Sequence, residues 1–284
     1  NGDSGSQRLL WETFKTLYCE LEEKLKKTDT IQLSKISEEL AEKRSYSIAV
    51  PGTYMVDSDS PLLEQILPTL QVLSTQQHPR IVIMIGKDGN HYKFLLKGNE
   101  DLRLDQRIMQ FFTLINSLLQ KNRNTLKQSL SIIEYSIIPF APNAGLITWV
   151  NGADTFQELV IDFREHRNIP RTIEKDITSK LIGNYQSFNF LTSLQRIEIS
   201  DIITSQTKAN ELREILWLRS PSSTIWLQRS HSFTKTTALM SMSGYIIGLG
   251  DRHPSNIMIQ RHTGRVIHID FADSFEVALF RKVY

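Results

Sequence analysis

The hydrophobic and polar positions of the chain follow two different periods, and the change between them predicts two kinds of structure. Short apolar runs bounded by turn residues are typical of strands, and they occur at residues 46–50, 69–73, 80–85, 91–96, 130–138 and 145–150. Apolar residues at three- and four-residue spacings are typical of helices, and they occur at residues 101–120, 155–166, 173–185, 190–217 and 233–247. This order predicts an α+β chain in which an antiparallel sheet precedes a mainly helical half.

Both ends of the chain add to this pattern. Residues 1–6 are polar and are expected to be disordered, whereas residues 7–27 have the apolar spacing of an amphipathic helix. Near the C-terminal end, residues 256–259 and 266–269 read as two strands joined by a turn at Thr263-Gly264. A hairpin is therefore expected directly after the helix at residues 233–247.

Composition and charge narrow the class of protein. The 284 residues provide enough chain for two packed lobes, and the net charge of +2 indicates no broad surface for nucleic acid or membrane. Cys19 is the only cysteine, which excludes an intramolecular disulfide framework. The most apolar window, residues 238–249, is far shorter than the roughly 20 residues that span a bilayer. We expect a soluble, cytoplasmic protein without a signal peptide or transmembrane segment.

Three polar residues of the C-terminal hairpin region have the spacing of a phosphoryl-transfer site. Asp251 and Asn256 lie five residues apart, and Asp270 follows the second strand. Asp251 can accept the proton of a hydroxyl nucleophile, and the other two offer the hard oxygen ligands that Mg²⁺ prefers. His253 and Arg252 add hydrogen-bond donors beside the developing charge. Turn and capping residues are the simpler interpretation of any one of these, but the complete set favours the catalytic interpretation.

The same residues resemble a family. The order Asp251-Arg252-His253, with Asn256 and then Asp270-Phe271, is similar to the catalytic motifs of the phosphatidylinositol-3-kinase-related kinases, most closely the target-of-rapamycin type. The resemblance implies a bilobal protein-kinase-like fold of the PI3/PI4-kinase type and a serine/threonine protein kinase that uses ATP and Mg²⁺ or Mn²⁺, acting in growth and nutrient signalling. It implies that Asp251 is the base, that His253 stabilises the transition state, and that the metal ligands are Asn256 and Asp270.

The resemblance also assigns a nucleotide site. Lys97 ends an apolar strand and could bridge phosphates, and the family pattern implies that Glu100 and Asp105 orient it. The Asp88-Gly89 pair predicts a hairpin, so the phosphate loop implied by the family is residues 74–77, with Thr75 as its hydroxyl. The expected adenine slot, including the hinge Trp149-Val150, is lined by Leu95, Tyr135, Ile147, Trp149, Val150, Met258 and Ile269. From the residues alone, these would be interpreted as core.

The resemblance further implies a division into three segments. Residues 1–45 would be a helical segment similar to the end of a rapamycin-binding bundle, with Trp11 at the drug pocket, although a working drug site is not expected from one helix. Residues 46–150 would form the N-lobe and hinge, and residues 151–284 a truncated C-lobe. The insertion at residues 176–208 would bind a small WD-repeat protein, and protein partners could recruit the kinase to internal membranes.

Two alternatives remain open at this point. The order Asp-Arg-His is shared with phosphoinositide kinases, so a lipid kinase is the second interpretation. Ala272 replaces the glycine that the family has after Asp-Phe, and alanine resists a positive φ angle. A modest loss of activity is therefore expected, and a catalytically impaired scaffold is the third interpretation.

Overall fold

The computed structural model describes residues 11, 13–18, 21, 29–54, 59–75, 77–182, 191–207 and 210–276. The chain divides into two compact units, of which unit 1 contains residues 1–101 and 138–149 and unit 2 contains residues 102–137 and 150–284. Of the predicted helix at residues 7–27, the positions 11, 13–18 and 21 are helical, and the remainder lies outside the described residues. Trp11 itself is exposed.

Unit 1 contains an antiparallel sheet. Among the described residues the sheet has seven strands: β1 (Thr30–Gln32), β2 (Leu63–Ile66), β3 (Thr69–Val72), β4 (Arg80–Gly86), β5 (His91–Gly98), β6 (Ile137–Ala141) and β7 (Ala144–Thr148). Their order across the sheet is β1-β3-β4-β5-β7-β6, and β2 pairs with β4. A 3₁₀ turn at Leu33–Lys35 and the short helix α1 (Glu38–Glu42) follow β1. The predicted antiparallel sheet is confirmed, and β1 and β2 are additions to it.

The β4–β5 hairpin forms the centre of this sheet for a local reason. Asp88 accepts a hydrogen bond from the backbone N–H of Asn90 at 3.1 Å, and Gly89 has a φ of +78°. This turn sets the register in which Val82 faces Phe94, and both residues are buried. The core of unit 1 is built from such inward-facing residues: Leu33, Val50, Leu63, Leu70, Val82, Met84, Phe94 and Leu146. The Asp88-Gly89 segment is thus a hairpin turn, as predicted.

Unit 2 is mainly helical. Its described helices are α2 (Arg103–Lys121), α3 (Arg123–Lys127), α4 (Phe156–His166), α5 (Ile173–Ile182), α6 (Ser193–Gln206), α7 (Glu211–Leu218) and α8 (Ser223–Ile246). A three-stranded antiparallel sheet combines β8 (Ala153–Thr155) with the hairpin β9 (Ile257–Gln260) and β10 (Val266–His268). Gly264 occupies the hairpin turn with a φ of +72°, and a Cβ there would lie 2.6 Å from the carbonyl oxygen of Arg229. Only glycine fits this turn without displacing α8.

The predicted strand at residues 130–138 is wrong for most of its length, since regular strand begins only at Ile137. The Asn116 side chain on α2 donates to the Ile132 carbonyl at 3.0 Å and accepts from the Ile132 N–H at 2.8 Å. A side chain therefore satisfies the backbone groups that a neighbouring strand would otherwise satisfy.

Two further predictions need correction. Residues 46–50 form one isolated bridge, Ala49 to Leu62, because Val50 faces Pro61, which has no N–H to return a hydrogen bond.

The predicted continuous helix at residues 190–217 is two helices. Thr192 caps α6, and Thr207 ends it with extended backbone angles of −101° and 137°. No described helix is long and apolar enough to span a membrane.

Candidate active site

The predicted catalytic loop, residues 247–256, begins where α8 ends. Gly248 has a φ of +59°, and the N–H of Leu249 donates to the carbonyl of Gly244 at 2.8 Å, which turns the chain away from the helix axis. The N–H of Gly250 then donates to the carbonyl of Asp273 at 2.8 Å. This bond connects the start of the loop to the segment that follows β10, so the two chain segments of the predicted site lie side by side.

Asp251 and Asn256 are held at the two ends of the loop. Asp251 has a φ of +53°, a left-handed conformation that is uncommon for a residue with a side chain. The Asn256 side-chain N–H donates to the Asp251 carbonyl at 3.0 Å, and Asn256 is buried. Because its amide nitrogen makes this bond, its amide oxygen is left as the acceptor that a metal ion could use.

His253 lies on the exposed side of the loop. Its Nε2 is 4.0 Å from a carboxylate oxygen of Asp251, and its Nδ1 accepts a 3.2 Å hydrogen bond from the backbone N–H of Ser255. With Nδ1 occupied as an acceptor, a neutral imidazole carries its proton on Nε2, the atom nearer Asp251. His253 can therefore present an N–H group on the same side as the predicted base.

Asp270 is the second acid of this site, and it follows β10 directly. It also has a left-handed backbone, with a φ of +59°, and the preceding residue Ile269 donates its N–H to the Asn256 carbonyl at 3.1 Å. The structure thus places the backbones of Asn256 and Asp270 next to each other. Ala272 is exposed and is not among the described residues with a positive φ. The reason for expecting impairment from Ala272 is therefore removed.

Phe271 fixes the segment behind Asp270. Its ring is fully buried and contacts Phe112 of α2 edge to face, with ring centroids 5.6 Å apart. Its N–H donates to a carboxylate oxygen of Asp105 at 3.1 Å, and Asp105 is itself buried. The sequence prediction placed Asp105 with Lys97, and it gave no sign of this bond to the Asp-Phe segment.

The predicted nucleotide residues of unit 1 lie at the ends of β5 and β7 and in the β3–β4 loop. Lys97 forms an ion pair with Glu100 at 2.8 Å, as the resemblance implied. Leu95 and Ile147 are directly paired across β5 and β7. The Trp149 N–H donates to the Lys93 carbonyl at 2.9 Å, and the Lys93 ammonium lies 3.8 Å from the centre of the indole ring.

Thr75 is exposed in the turn after β3, where its carbonyl accepts from the N–H of His78 at 3.0 Å. The remaining predicted slot residues belong to unit 2. Tyr135 is buried, whereas Val150, Met258 and Ile269 are half-buried. The Tyr135 hydroxyl donates to the His268 carbonyl at 3.3 Å, which joins it to the strand that leads to Asp270.

Burial alters the charge states around this strand. Burial is the main cause that raises the pKa of Tyr135 well above its usual value, with Asp105 and Asp270 adding to it, so the phenol stays neutral. Burial also lowers the pKa of His268 to about 4, with the Arg252 charge as the second cause, so this imidazole is neutral at physiological pH. Tyr135 and His268 therefore bring no charge of their own to the strand that leads to Asp270.

The oxygen donors present fit a divalent cation that also binds a nucleotide. Among the described residues, no group of three or more His, Cys, Asp and Glu side chains could hold a metal ion by itself. Mg²⁺ at a kinase site is usually bound by one or two protein oxygens, with water and phosphate oxygens completing its shell. Asn256 and Asp270 would supply those two oxygens.

The antiparallel-sheet unit, and the helical unit with its catalytic loop and hairpin, define a protein-kinase-like fold. The chain belongs to the phosphatidylinositol 3- and 4-kinase family, whose family model matches residues 91–281. Over 283 residues the chain is 38% identical to the serine/threonine-protein kinase TOR of Oryza sativa subsp. japonica. The aligned region covers 100% of this chain and 11% of that protein. Over 277 residues it is 40% identical to the target of rapamycin homolog of Caenorhabditis elegans, covering 96% and 10% respectively.

A solved structure described as the FAT and kinase domain of CtTel1 has a similar fold. The two chains superpose with a TM-score of 0.68 and 29% sequence identity, over 80% of this chain and 16% of the other. The expected family and fold class are thus confirmed. The chain spans about a tenth of the length of the curated relatives.

Proposed function

We propose that this chain is the catalytic part of an ATP-dependent serine/threonine protein kinase of the target-of-rapamycin type. The observation that carries the proposal is that Asn256 bonds the carbonyl of Asp251 and accepts from the N–H of Ile269, the residue before Asp270. The relatives named as serine/threonine-protein kinases match nearly the whole chain, which supports a protein hydroxyl as the acceptor.

Each residue has a role that follows from its chemistry. Asp251 would accept the proton of the attacking hydroxyl, and the Nε2 proton of His253 would stabilise charge on the transferring phosphoryl group. Asn256 and Asp270 would hold Mg²⁺ or Mn²⁺, which neutralises phosphate charge when bound. In unit 1, the Lys97 ammonium oriented by Glu100 and the hydroxyl of Thr75 would bind phosphate oxygens.

Radiolabelled ATP turnover by the full-length protein tests the proposal on a hydroxyl-bearing peptide and on phosphatidylinositol vesicles. Asp251→Ala should reduce peptide phosphorylation by at least about 100-fold, because proton acceptance contributes roughly 10²–10⁴-fold to such reactions. Asp59→Ala, at an exposed position before β2, is the matched control and should retain full activity. Turnover that survives Asp251→Ala would show that the base is elsewhere.

A phosphoinositide kinase is the second candidate, because the matching family model describes phosphatidylinositol 3- and 4-kinases. Asp251→Ala would abolish activity in either case, so the acceptor decides between them. Phosphate transfer to the vesicles and not to the peptide would establish the lipid kinase.

We also propose that the segment at residues 176–208 binds a WD-repeat protein. Support comes from the family resemblance and from the exposed apolar residues Leu194 and Ile197 on α6. Ile197→Asp should weaken co-purification of such a partner with the full-length kinase, and unchanged co-purification would exclude this face of α6.

A further inference from the structure

Arg252 makes an unusual set of contacts for an arginine beside two acids. Its guanidinium donates to backbone carbonyls: from Nε to Gly250 at 2.8 Å, from Nη1 to Ile269 at 2.9 Å, and from Nη2 to Asp270. Nη1 also lies 3.5 Å from the carbonyl of Asn256. No carboxylate oxygen of the described residues forms an ion pair with it.

These carbonyls belong to the residues that surround the proposed chemistry. Gly250 precedes Asp251, Ile269 precedes Asp270, and the other two carbonyls are those of the proposed metal ligands. One side chain therefore connects the catalytic loop with the segment that follows β10. The guanidinium also lies 5.7 Å from the ring centre of the buried Phe271, the residue after Asp270.

The backbone that Arg252 holds is conformationally unfavourable. Asp251 and Asp270 have φ angles of +53° and +59°, and left-handed residues other than glycine persist only where their surroundings fix them. Arg252 is half-buried, and burial is the main cause that lowers its pKa, with Asp270 and Asp251 acting in the opposite direction. Because its hydrogen bonds go to backbone carbonyls on two chain segments, the guanidinium fixes the backbone geometry of both.

We infer that Arg252 is a positioning residue, which sets the separation of the base Asp251 from the metal ligands Asn256 and Asp270. This inference rests on the proposed function. Lysine cannot replace arginine here, because one ammonium group is a single point of donation and cannot reach carbonyls on both segments in a fixed plane. The charge and the geometry can therefore be separated by one substitution.

The experiment compares Arg252→Lys with Arg265→Lys in the full-length protein. Arg265 is a matched control: it is half-buried, burial lowers its pKa, and its Nη2 donates to the Ser131 carbonyl at 2.6 Å, away from the catalytic loop. Arg252→Lys should lower kcat by about 10–100-fold and raise the Mg²⁺ concentration for half-maximal turnover by a similar factor, as observed when groups that orient metal ligands are changed. The KM for ATP at saturating Mg²⁺ should change less than about threefold, because the proposed phosphate-binding residues Lys97 and Thr75 are unchanged.

A readout independent of turnover is hydrogen exchange of the backbone amides of Gly250 and Ile269. Their hydrogen bonds to Asp273 and Asn256 connect the loop to the segment around Asp270. Both should exchange faster in Arg252→Lys and not in Arg265→Lys. If the wild-type protein transfers no phosphate but these amides respond as expected, the proposed function is wrong and the structural link stands. If Arg252→Lys matches Arg265→Lys in kcat, Mg²⁺ dependence and exchange, the inference is overturned.

Discussion

Asp251 and Asp270 place the proposed chemistry on backbone conformations that residues with side chains seldom adopt. Each left-handed residue costs on the order of 1 kcal/mol, and the cost is offset by hydrogen bonds to the same segments from Asn256 and Arg252. The motif could be found from the sequence, but the left-handed backbone of these two residues could not. The residue types and their spacing reveal the chemistry, but the φ angles also depend on contacts between distant segments, such as the bond from Arg252 to Ile269, which are 17 residues apart.

The residue after Phe271 provides the first prediction. The resemblance implies a glycine where this chain has Ala272, but the left-handed angles here fall on Asp270 and Phe275 instead. Ala272 is exposed and its backbone suits alanine, so Ala272→Gly removes no strain. Turnover of Ala272→Gly should stay within about twofold of wild type, and stability should fall by no more than about 1 kcal/mol, because glycine has greater freedom in the unfolded chain.

The same peptide assay and a urea titration measure both quantities. Asp270→Asn is the positive control, which shows that the assay detects a change in this segment. It should lower activity strongly, because a charged metal ligand is lost. A gain of tenfold or more on Ala272→Gly would restore the hypothesis that alanine impairs the kinase, and with it the scaffold interpretation.

Residue-scale prediction from the sequence was also limited by distance along the chain. Asp105 was identified as an acid near Lys97 from a local motif. Its bond to the Phe271 amide joins residues 166 positions apart, and no local pattern could indicate it. Lys97 and Glu100 are three residues apart, so a local pattern was sufficient for that ion pair.

At the scale of elements, one arginine joins three helices of unit 2. Arg164 on α4 donates to Glu211 on α7 at 2.8 Å and to Glu174 on α5 at 2.9 Å, and also to the Arg171 carbonyl at 3.1 Å. Arg164 is only 8% exposed, and its two carboxylate bonds raise its own pKa while Arg164 lowers that of Glu174. The ion-paired network therefore fixes how α4, α5 and α7 pack.

Arg164→Gln should destabilise unit 2 by about 2–4 kcal/mol, because it leaves two neighbouring, partly buried carboxylates, Glu174 and Glu211, without their shared charge partner. The value is at the lower end of the usual range because the Glu174 side chain is 41% exposed. Urea unfolding followed by hydrogen exchange of α4 and α7 measures the change. Arg167→Gln is the matched control, since its ion pair with Glu214 lies at the surface, and it should cost less than about 1 kcal/mol. Equal losses for the two variants would show that Arg164 contributes no more than a surface ion pair.

Elements were predicted well where their signals were local. The Asp88-Gly89 and Thr263-Gly264 turns fixed two hairpins, and the apolar spacing after residue 101 located α2, α4 and α5. Residues 130–136 were wrong because Asn116, on another element, satisfies their backbone through its side chain. An apolar run indicates burial, and whether it becomes a strand depends on which groups accept and donate its backbone hydrogen bonds.

At the scale of the whole molecule, the net charge is only +2, so repulsion between like charges contributes little to stability near neutral pH. The response of stability to pH is therefore set by individual buried groups. His268 is such a group. Its Nδ1 is buried without a hydrogen-bond partner among the described residues, and its position beside Arg252 disfavours a second positive charge. Its pKa falls from 6.5 to about 4 on folding.

The sign of the resulting pH dependence follows from which state binds the proton first. Between about pH 6.5 and pH 4 the unfolded chain has protonated His268 and the folded protein has not, so acidification favours unfolding. The free energy of unfolding should therefore decrease as the pH falls through this window, by at most about 1.4 kcal/mol per pH unit. Above pH 6.5 this contribution is constant, because the histidine is neutral in both states.

His268→Gln removes the titration while keeping a polar side chain of similar size. From pH 7 to pH 5 the wild-type protein should lose about 1–2 kcal/mol more stability than His268→Gln, measured by urea unfolding with hydrogen exchange to assign the transition to unit 2. His231→Gln, at an exposed position on α8, is the control and should follow the wild-type curve. Parallel curves for wild type and His268→Gln would mean that His268 binds its proton over the same pH range in the folded and unfolded states. The guanidinium of Arg252 would then have to tolerate a second cation beside the strand that leads to Asp270.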